Sequence, residues 1–223
     1  MLPWIMWSVI ILAPSVVGGT LAFRAARRAS KADRAMRVLA ERPGWRRLVP
    51  AKDGLPWAEY AGHFPWLLRT HYGTAVAGRL GEHPVTVARL WEPVGQRDMQ
   101  HWLVVCFDVP DSGPMLRLER HWSAAELDLR FSGEIPYLVL SNDRAAMTER
   151  FYASDLPERL TRFAGPAVSH AKFGVCFVYP MPDVVDLGSL LNELAAMVPD
   201  LAALARFAEP SAPSAPEEPQ DAS

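Results

Sequence analysis

The first 23 residues constrain this chain more than any other stretch. Leu2 to Phe23 (LPWIMWSVIILAPSVVGGTLAF) carries no charged side chain. At ~1.5 Å per residue, a helix of that length reaches roughly 33 Å, enough to cross a hydrocarbon core of ~30 Å. Trp4 and Trp7 stand at its start, where amphipathic indoles favour the membrane–water boundary. Pro14 would kink a helix in water, but membrane spans tolerate such prolines. A cleaved secretory signal needs a basic residue ahead of an apolar stretch of roughly 7–15 residues. Here no Lys or Arg precedes the stretch, and the stretch is longer. Residues 1–23 are therefore expected to form one N-terminal transmembrane helix, a retained signal-anchor that meets the lipid bilayer through residues 2–23.

The charges after this segment are strongly asymmetric. Residues 24–47 hold nine basic side chains (Arg24, Arg27, Arg28, Lys31, Arg34, Arg37, Arg42, Arg46, Arg47) against Asp33 and Glu41. Removing them from the totals of 23 basic and 25 acidic residues leaves 14 and 23 elsewhere, a net of −9. Cations stay on the cytoplasmic side of a span, so the body is expected in the cytosol, at the cell membrane. The stretch 24–44 is rich in Ala and Arg, with no breaker before Pro43-Gly44, and reads as a basic juxtamembrane helix continuing the span. Arg24, Arg27, Arg28, Lys31, Arg34 and Arg37 would lie over anionic lipid headgroups, each worth roughly 1 kcal/mol near the surface. The same charges lack the aromatic interleaving and motifs of a nucleic-acid binder, so no nucleic acid is expected. Ser15/Gly19 and Gly18/Ala22/Ala26 repeat at small-xxx-small spacing, which permits a homodimer through the span.

Residues 45–208 read as one soluble α+β domain. The Pro-, Gly- and Trp-rich stretch from Trp45 to about Pro65 argues for an irregular connector. Thr74–Leu80 and Pro84–Trp91 flank Gly81-Glu82-His83 as a hairpin. His101–Val109 (HWLVVCFDV) is a near-continuous apolar run, as a buried central strand requires. Met115–His121 alternates and reads as a fourth strand with one wet face, and Pro136–Ser141 as a fifth. Asn142 or Asp143 is placed to cap a helix running through Phe151, and Ser154 or Asp155 a second helix with Pro157 in its first turn. His170–Tyr179 reads as one further strand. Asp183 or Asp186 opens the clearest helix, with Leu187, Leu190, Leu191, Leu194, Met197 and Val198 at spacings of three and four; Pro199 either ends it or starts another turn. Strands first, then mixed elements, predict a mainly antiparallel sheet with a few helices. Residues 209–223, a Pro/Ser/Ala/acidic tail, are expected to be disordered.

The hairpin AVAGRLGEHPVTVARLWEP, the Pro-bounded strand pair, FSGEIPYLVLSND, DLPERLTRF and the final LGSLLNELAAMVPDL occur in an order that resembles a group of uncharacterised actinobacterial single-pass membrane-anchored proteins. The resemblance covers most of residues 74–201. It implies an anchor followed by an α+β domain, and implies no activity and no site.

Chemistry-bearing motifs are sparse. The six histidines, His63, His71, His83, His101, His121 and His170, show no HxxxH or HxxEH spacing, and no cysteine lies near enough in sequence to complete a zinc set. His71 and His83 are placed to approach across the first hairpin. Cys106 and Cys176 each lie in an apolar run and read as small buried hydrophobes on neighbouring strands; a disulfide between them is open, though nothing in their spacing asks for it. His101 lies five residues from Cys106, and an odd separation puts the two on opposite faces of a strand, which argues against a Cys–His nucleophile. No G-x-S-x-G elbow occurs. Asp108, Asp111, Glu119 and Glu126 sit near strand ends, where carboxylates commonly solubilise. Trp91, Trp102 and Trp122 read as core, while Trp57 or Trp66 of the connector is open to a role as a surface anchor. No catalytic, cofactor-binding or metal residue is assigned and no cofactor is expected. The reading that remains is a membrane-tethered α+β interaction or scaffold domain; the alternative is an enzyme whose site carries no recognisable motif.

Overall fold

A computed structural model describes residues 27, 30–54, 56–64, 67, 70–94, 98–109, 115–120, 137–162, 165–180 and 186–206. The apolar segment 2–23, its small-residue repeats, and the acidic tail lie outside these residues.

The chain is α+β, built on one antiparallel sheet of eight strands. Helix α1 (residues 30–40) comes first. It is followed by β1 (Arg46–Arg47), a single turn α2 (Pro50–Asp53) and a 3-10 segment (Pro56–Gly62). Strands β2 (His71–Leu80), β3 (His83–Val94) and β4 (Asp98–Asp108) form a meander, and β5 (Leu116–Arg120) pairs with β6 (Tyr137–Leu140). Helices α3 (Arg144–Ala153) and α4 (Leu156–Arg162), strands β7 (Ala167–Ala171) and β8 (Gly174–Pro180), and helix α5 (Leu187–Arg206) complete the chain. The spatial order is β1-β2-β3-β4-β8-β7-β5-β6, so the late β7–β8 hairpin is inserted between the early meander and the β5–β6 pair.

Most expected elements appear, with three differences. The connector from Trp45 is not irregular throughout: it contains β1, α2 and the 3-10 segment, and its Leu48, Trp57, Tyr60, Phe64 and Leu67 are buried. The single strand expected at His170–Tyr179 is a hairpin. Lys172-Phe173 turns the chain, and Gly174 follows at φ 141°, a backbone conformation L side chains rarely adopt. Of the two outcomes open at Pro199, the second is the one found: the last helix runs on through it to Arg206. Its missing N–H falls on the solvent side, and there Arg159 donates to the Ala196 carbonyl at 3.1 Å and to Asp200 at 2.6 Å. His71 and His83 do not meet, because His71 pairs with Trp91 at one end of the β2–β3 ladder and His83 with Leu80 at the other.

Each face of the sheet has its own cover. The strict period of two puts Val85, Val87, Leu103, Val105, Phe107, Val168, Val175, Phe177 and Tyr179 on one face. That face packs against α1, α3, α4 and α5, with Met36, Met147, Phe151, Leu160, Leu191 and Leu194 fully buried. The opposite face presents Ala75, Ala88, Leu90, Val104, Cys106, Cys176 and Val178, and is roofed by Trp57, Tyr60, Phe64 and Leu67. Trp45 lies flat on Gly78, where a β-carbon would fall 2.2 Å from its ring, so that strand position has to be glycine. The sheet edges are short: β1 is two exposed arginines, which blunts pairing with other chains. On the far edge, Tyr152 of α3 closes the backbone of β6, accepting from the Tyr137 N–H at 3.1 Å and donating to its carbonyl at 2.9 Å.

Helix α5 is the one helix among the described residues long and apolar enough to cross a membrane by length and composition. Nine of its side chains are buried in this core, Leu187 through Ala205, so its apolarity is accounted for by packing.

Because Met36 is fully buried between α1 and the sheet, Met36→Ala is expected to cost about 2–5 kcal/mol, read as a lower urea midpoint. Val38→Ala, two residues on and 52% exposed, should stay within about 0.5 kcal/mol.

Candidate functional site

Helix α1 divides its circumference between two roles. Ala32, Met36 and Leu39 enter the core, while Arg27, Lys31, Arg34 and Arg37 are exposed. Spacings of three and four produce both stripes. The helix is pinned by an ion pair across 56 residues: Arg89 Nε donates to Asp33 Oδ1 at 2.8 Å and Nη2 to Oδ2 at 3.1 Å. Both side chains are mostly buried, and the paired geometry is the strong form of an arginine–carboxylate contact. The signal was present in β3, where Arg89 shares the alternating face of Val85 and Val87; a cation facing the core needs a carboxylate partner. His101 on β4 lies with its Nδ1 3.5 Å from Arg89 Nη1. Burial pulls its pKa below 6.5, the Arg89 cation pulls further, and Asp33 opposes. His71 stacks on Trp91 at 4.4 Å at the same end of the sheet. Between α1 and the start of α5 lies a groove of about 370 Å³, lined by Lys31, Arg34, Val38, Arg42, Asp186 and Gly188. The Asp186 carboxylate caps α5 there, accepting from the Gly188 and Ser189 N–H groups.

On the opposite face, the connector leaves a cleft of about 530 Å³, lined among others by Asp53, Glu59, Tyr60, Thr86, Cys106 and Asp108. The Asp53 carboxyl is held below the usual range by the Val49 N–H, with Arg46 adding a 2.7 Å contact. Cys106 of β4 and Cys176 of β8 are register partners, both reduced, with sulfurs 3.5 Å apart. The expectation of neighbouring strands holds, and the odd-separation argument holds too: His101 and Cys106 are on opposite faces. What the sequence did not offer was the register itself, fixed only once β8 inserts beside β4.

A third cluster joins residues 106 apart. His63 Nδ1 meets Ser169 Oγ of β7, with Arg117 of β5 nearby. Arg117 also pairs with Glu119 and lies over the Phe64 ring at 5.3 Å. Burial, helped by the Arg117 cation, lowers the His63 pKa, so its neutral imidazole is a ready acceptor for the Ser169 hydroxyl. The serine is fully buried, which closes it to any substrate. The contact therefore ties the connector to β7 and satisfies a core hydroxyl.

The other sequence candidates are dispersed. His170 is buried on the helix-covered face, opposite Val175, and His83 begins β3. Trp57 is buried at 3% exposure, which removes it as a surface anchor. Trp102 donates to Glu92 at 3.3 Å. Glu119 pairs within its own strand. His121, Trp66, Trp122, Asp111, Glu126, Arg24 and Arg28 lie outside the described residues. Among the described residues no three His, Cys, Asp or Glu side chains converge as metal ligands would.

His63 and His101 are both held neutral by the fold, so below pH 6.5 the unfolded chain binds protons that the folded chain does not. Stability is then present at neutral pH and falls as pH drops from 6.5 toward the depressed folded values. Melting temperature measured from pH 7.5 to 5.0 should decline through that window, and His101→Gln should flatten the decline. Removing the imidazole in His63→Ala leaves the Ser169 hydroxyl buried and is expected to cost about 1–3 kcal/mol.

No family model, no curated protein and no solved structure matches this chain.

Proposed function

We propose that this chain is a membrane-tethered α+β interaction domain, anchored by residues 2–23 and seated on anionic lipid through the outward face of α1. The observation that carries the reading is the division of α1: one stripe is core, the other is Lys31, Arg34 and Arg37 in solvent. A basic helix on a flexible linker would move independently of its domain. This one is part of the hydrophobic core and is locked by the Asp33–Arg89 pair, so its cations and the whole sheet move together. Residue 30 stands seven residues past the apolar segment, a distance of at most ~25 Å even if fully extended. The cations are thus confined near the headgroups, where each contributes roughly 1 kcal/mol. The charge asymmetry supports a domain on the cytoplasmic side, and Ser15/Gly19 spacing offers a route to self-association within the bilayer.

Vesicles containing phosphatidylserine test the seating. A fragment beginning at residue 24 should co-sediment with them and not with neutral vesicles. Changing Lys31, Arg34 and Arg37 together to Glu should weaken that binding by roughly 100-fold or more, on about 1 kcal/mol per lost cation. Equal binding by the triple variant would remove α1 from the interface. For sidedness, alkaline phosphatase fused after residue 208 should be inactive in cells; an active fusion would overturn the cytosolic assignment.

A further inference from the structure

We propose that Cys106 and Cys176 form a thiol–disulfide couple opening onto the acidic cleft, with Cys106 taking the oxidising equivalent of a neutral hydroperoxide and Cys176 resolving it. Three observations support this. The thiols face each other in the β4–β8 ladder, sulfurs 3.5 Å apart. Directly opposed antiparallel residues hold their α-carbons roughly 4.5–5.5 Å apart, inside the window of about 4.4–6.8 Å that a disulfide requires. The sheet therefore presents the pair so that bonding needs side-chain motion alone. Second, the two sulfurs are not equivalent. Cys106 lines the 530 Å³ cleft, whereas Cys176 is fully buried behind it. An outside reagent meets Cys106 first, and its only thiol neighbour is already in place, because the chain has two cysteines. Third, the cleft carries the carboxylates of Glu59 and Asp108, beside Asp53, which is paired with Arg46. Their field repels anionic oxidants and admits neutral or cationic ones.

The steps balance. The Cys106 sulfur attacks the distal oxygen of the hydroperoxide; an S–O bond forms, the O–O bond breaks, and an alcohol, or water when the oxidant is hydrogen peroxide, leaves with the thiol proton. The sulfur is oxidised by two electrons to a sulfenic acid and the peroxide is reduced. Cys176 then attacks that sulfur; the S–S bond forms, the S–O bond breaks, and hydroxide departs as water with the Cys176 proton. Burial holds that proton tightly, so closure should accelerate as pH rises.

The test uses the full chain in detergent, reduced and freed of reductant, then treated with hydrogen peroxide and alkylated after denaturation. The expected product is a monomer that has lost both alkylation sites and regains them with a reductant. Since the bond would close a loop of 70 residues, the oxidised monomer should melt roughly 5–10 °C higher. In Cys176→Ala, dimedone should label Cys106; in Cys106→Ala, Cys176 should resist both peroxide and dimedone. Cystamine, a dication, should oxidise the wild-type pair at least tenfold faster than oxidised glutathione at low salt, with the gap narrowing at high salt. Persistence of two alkylatable thiols, or dimedone on Cys176 alone, would sink the couple. Equal rates for cystamine and glutathione disulfide would refute the cleft as its entrance.

Discussion

The pairing of β4 with β8 holds this molecule together. The meander β2–β3–β4 is local in sequence, and so is the β5–β6 pair; neither half contains the strand that joins them. That strand pair arrives late, as β7–β8, and is bonded to β4 on one side and β5 on the other. Leu103 to Phe107 and Val175 to Tyr179 are buried on both faces of the sheet, so the seam lies in the driest part of the fold. Every ladder bond there is shielded from water, and losing one partner strands polar backbone in an apolar layer. Closing it requires a loop of some 70 residues, which places it late and makes it the entropically expensive step.

A sheet buried in the middle needs cover on both sides, and the two covers differ in kind. Four helices supply one with large aliphatic and aromatic side chains at helical spacing. The other is supplied by a short connector that has little regular structure but contributes Trp57, Tyr60 and Phe64. Aromatic side chains make this economical, since each buries a large apolar area from few residues. The His63–Ser169 contact and the stacking of Arg117 on Phe64 then fix the connector over β7 and β5.

The sheet class, strands β2 to β6, helices α3 and α4 and the last helix were legible because period-two alternation, Pro-Gly punctuation and Asx caps are local signals. Asp143 caps α3 through the Ala146 N–H, as its position implied. The β7–β8 turn was not legible: Ala167–Tyr179 is apolar almost throughout, and a Lys-Phe turn followed by Gly lacks the Asn-Gly or Asp-Gly signature that marks a tight hairpin. The connector misled for a related reason. Its Pro and Gly content describes its backbone accurately, but burial follows the side chains, and Trp57, Tyr60 and Phe64 have no period of their own to betray a common face. The three polar clusters, Asp33–Arg89, His63–Ser169 and Cys106–Cys176, join residues 56, 106 and 70 apart. Only Arg89, a cation on a core-facing register, announced that a partner had to exist.

The charge asymmetry acquires a direction in three dimensions. Helix α1 packs on one face of the sheet, and the cleft with Asp53, Glu59 and Asp108 opens on the other. The chain outside residues 24–47, acidic tail included, carries a net −9, and an anionic leaflet would repel it if it approached at random. Under the proposed tether, the α1 cations would attract the leaflet through that face while the cleft face would be repelled, and the difference would act as an orienting torque that decays over a Debye length of ~8 Å at physiological salt. Under the proposed tether, the acidic cleft and Cys106 within it are thereby turned away from the lipid and toward solvent. In that proposal the anchor sets how close the domain stays, and the separation of charge across the sheet sets which face it shows.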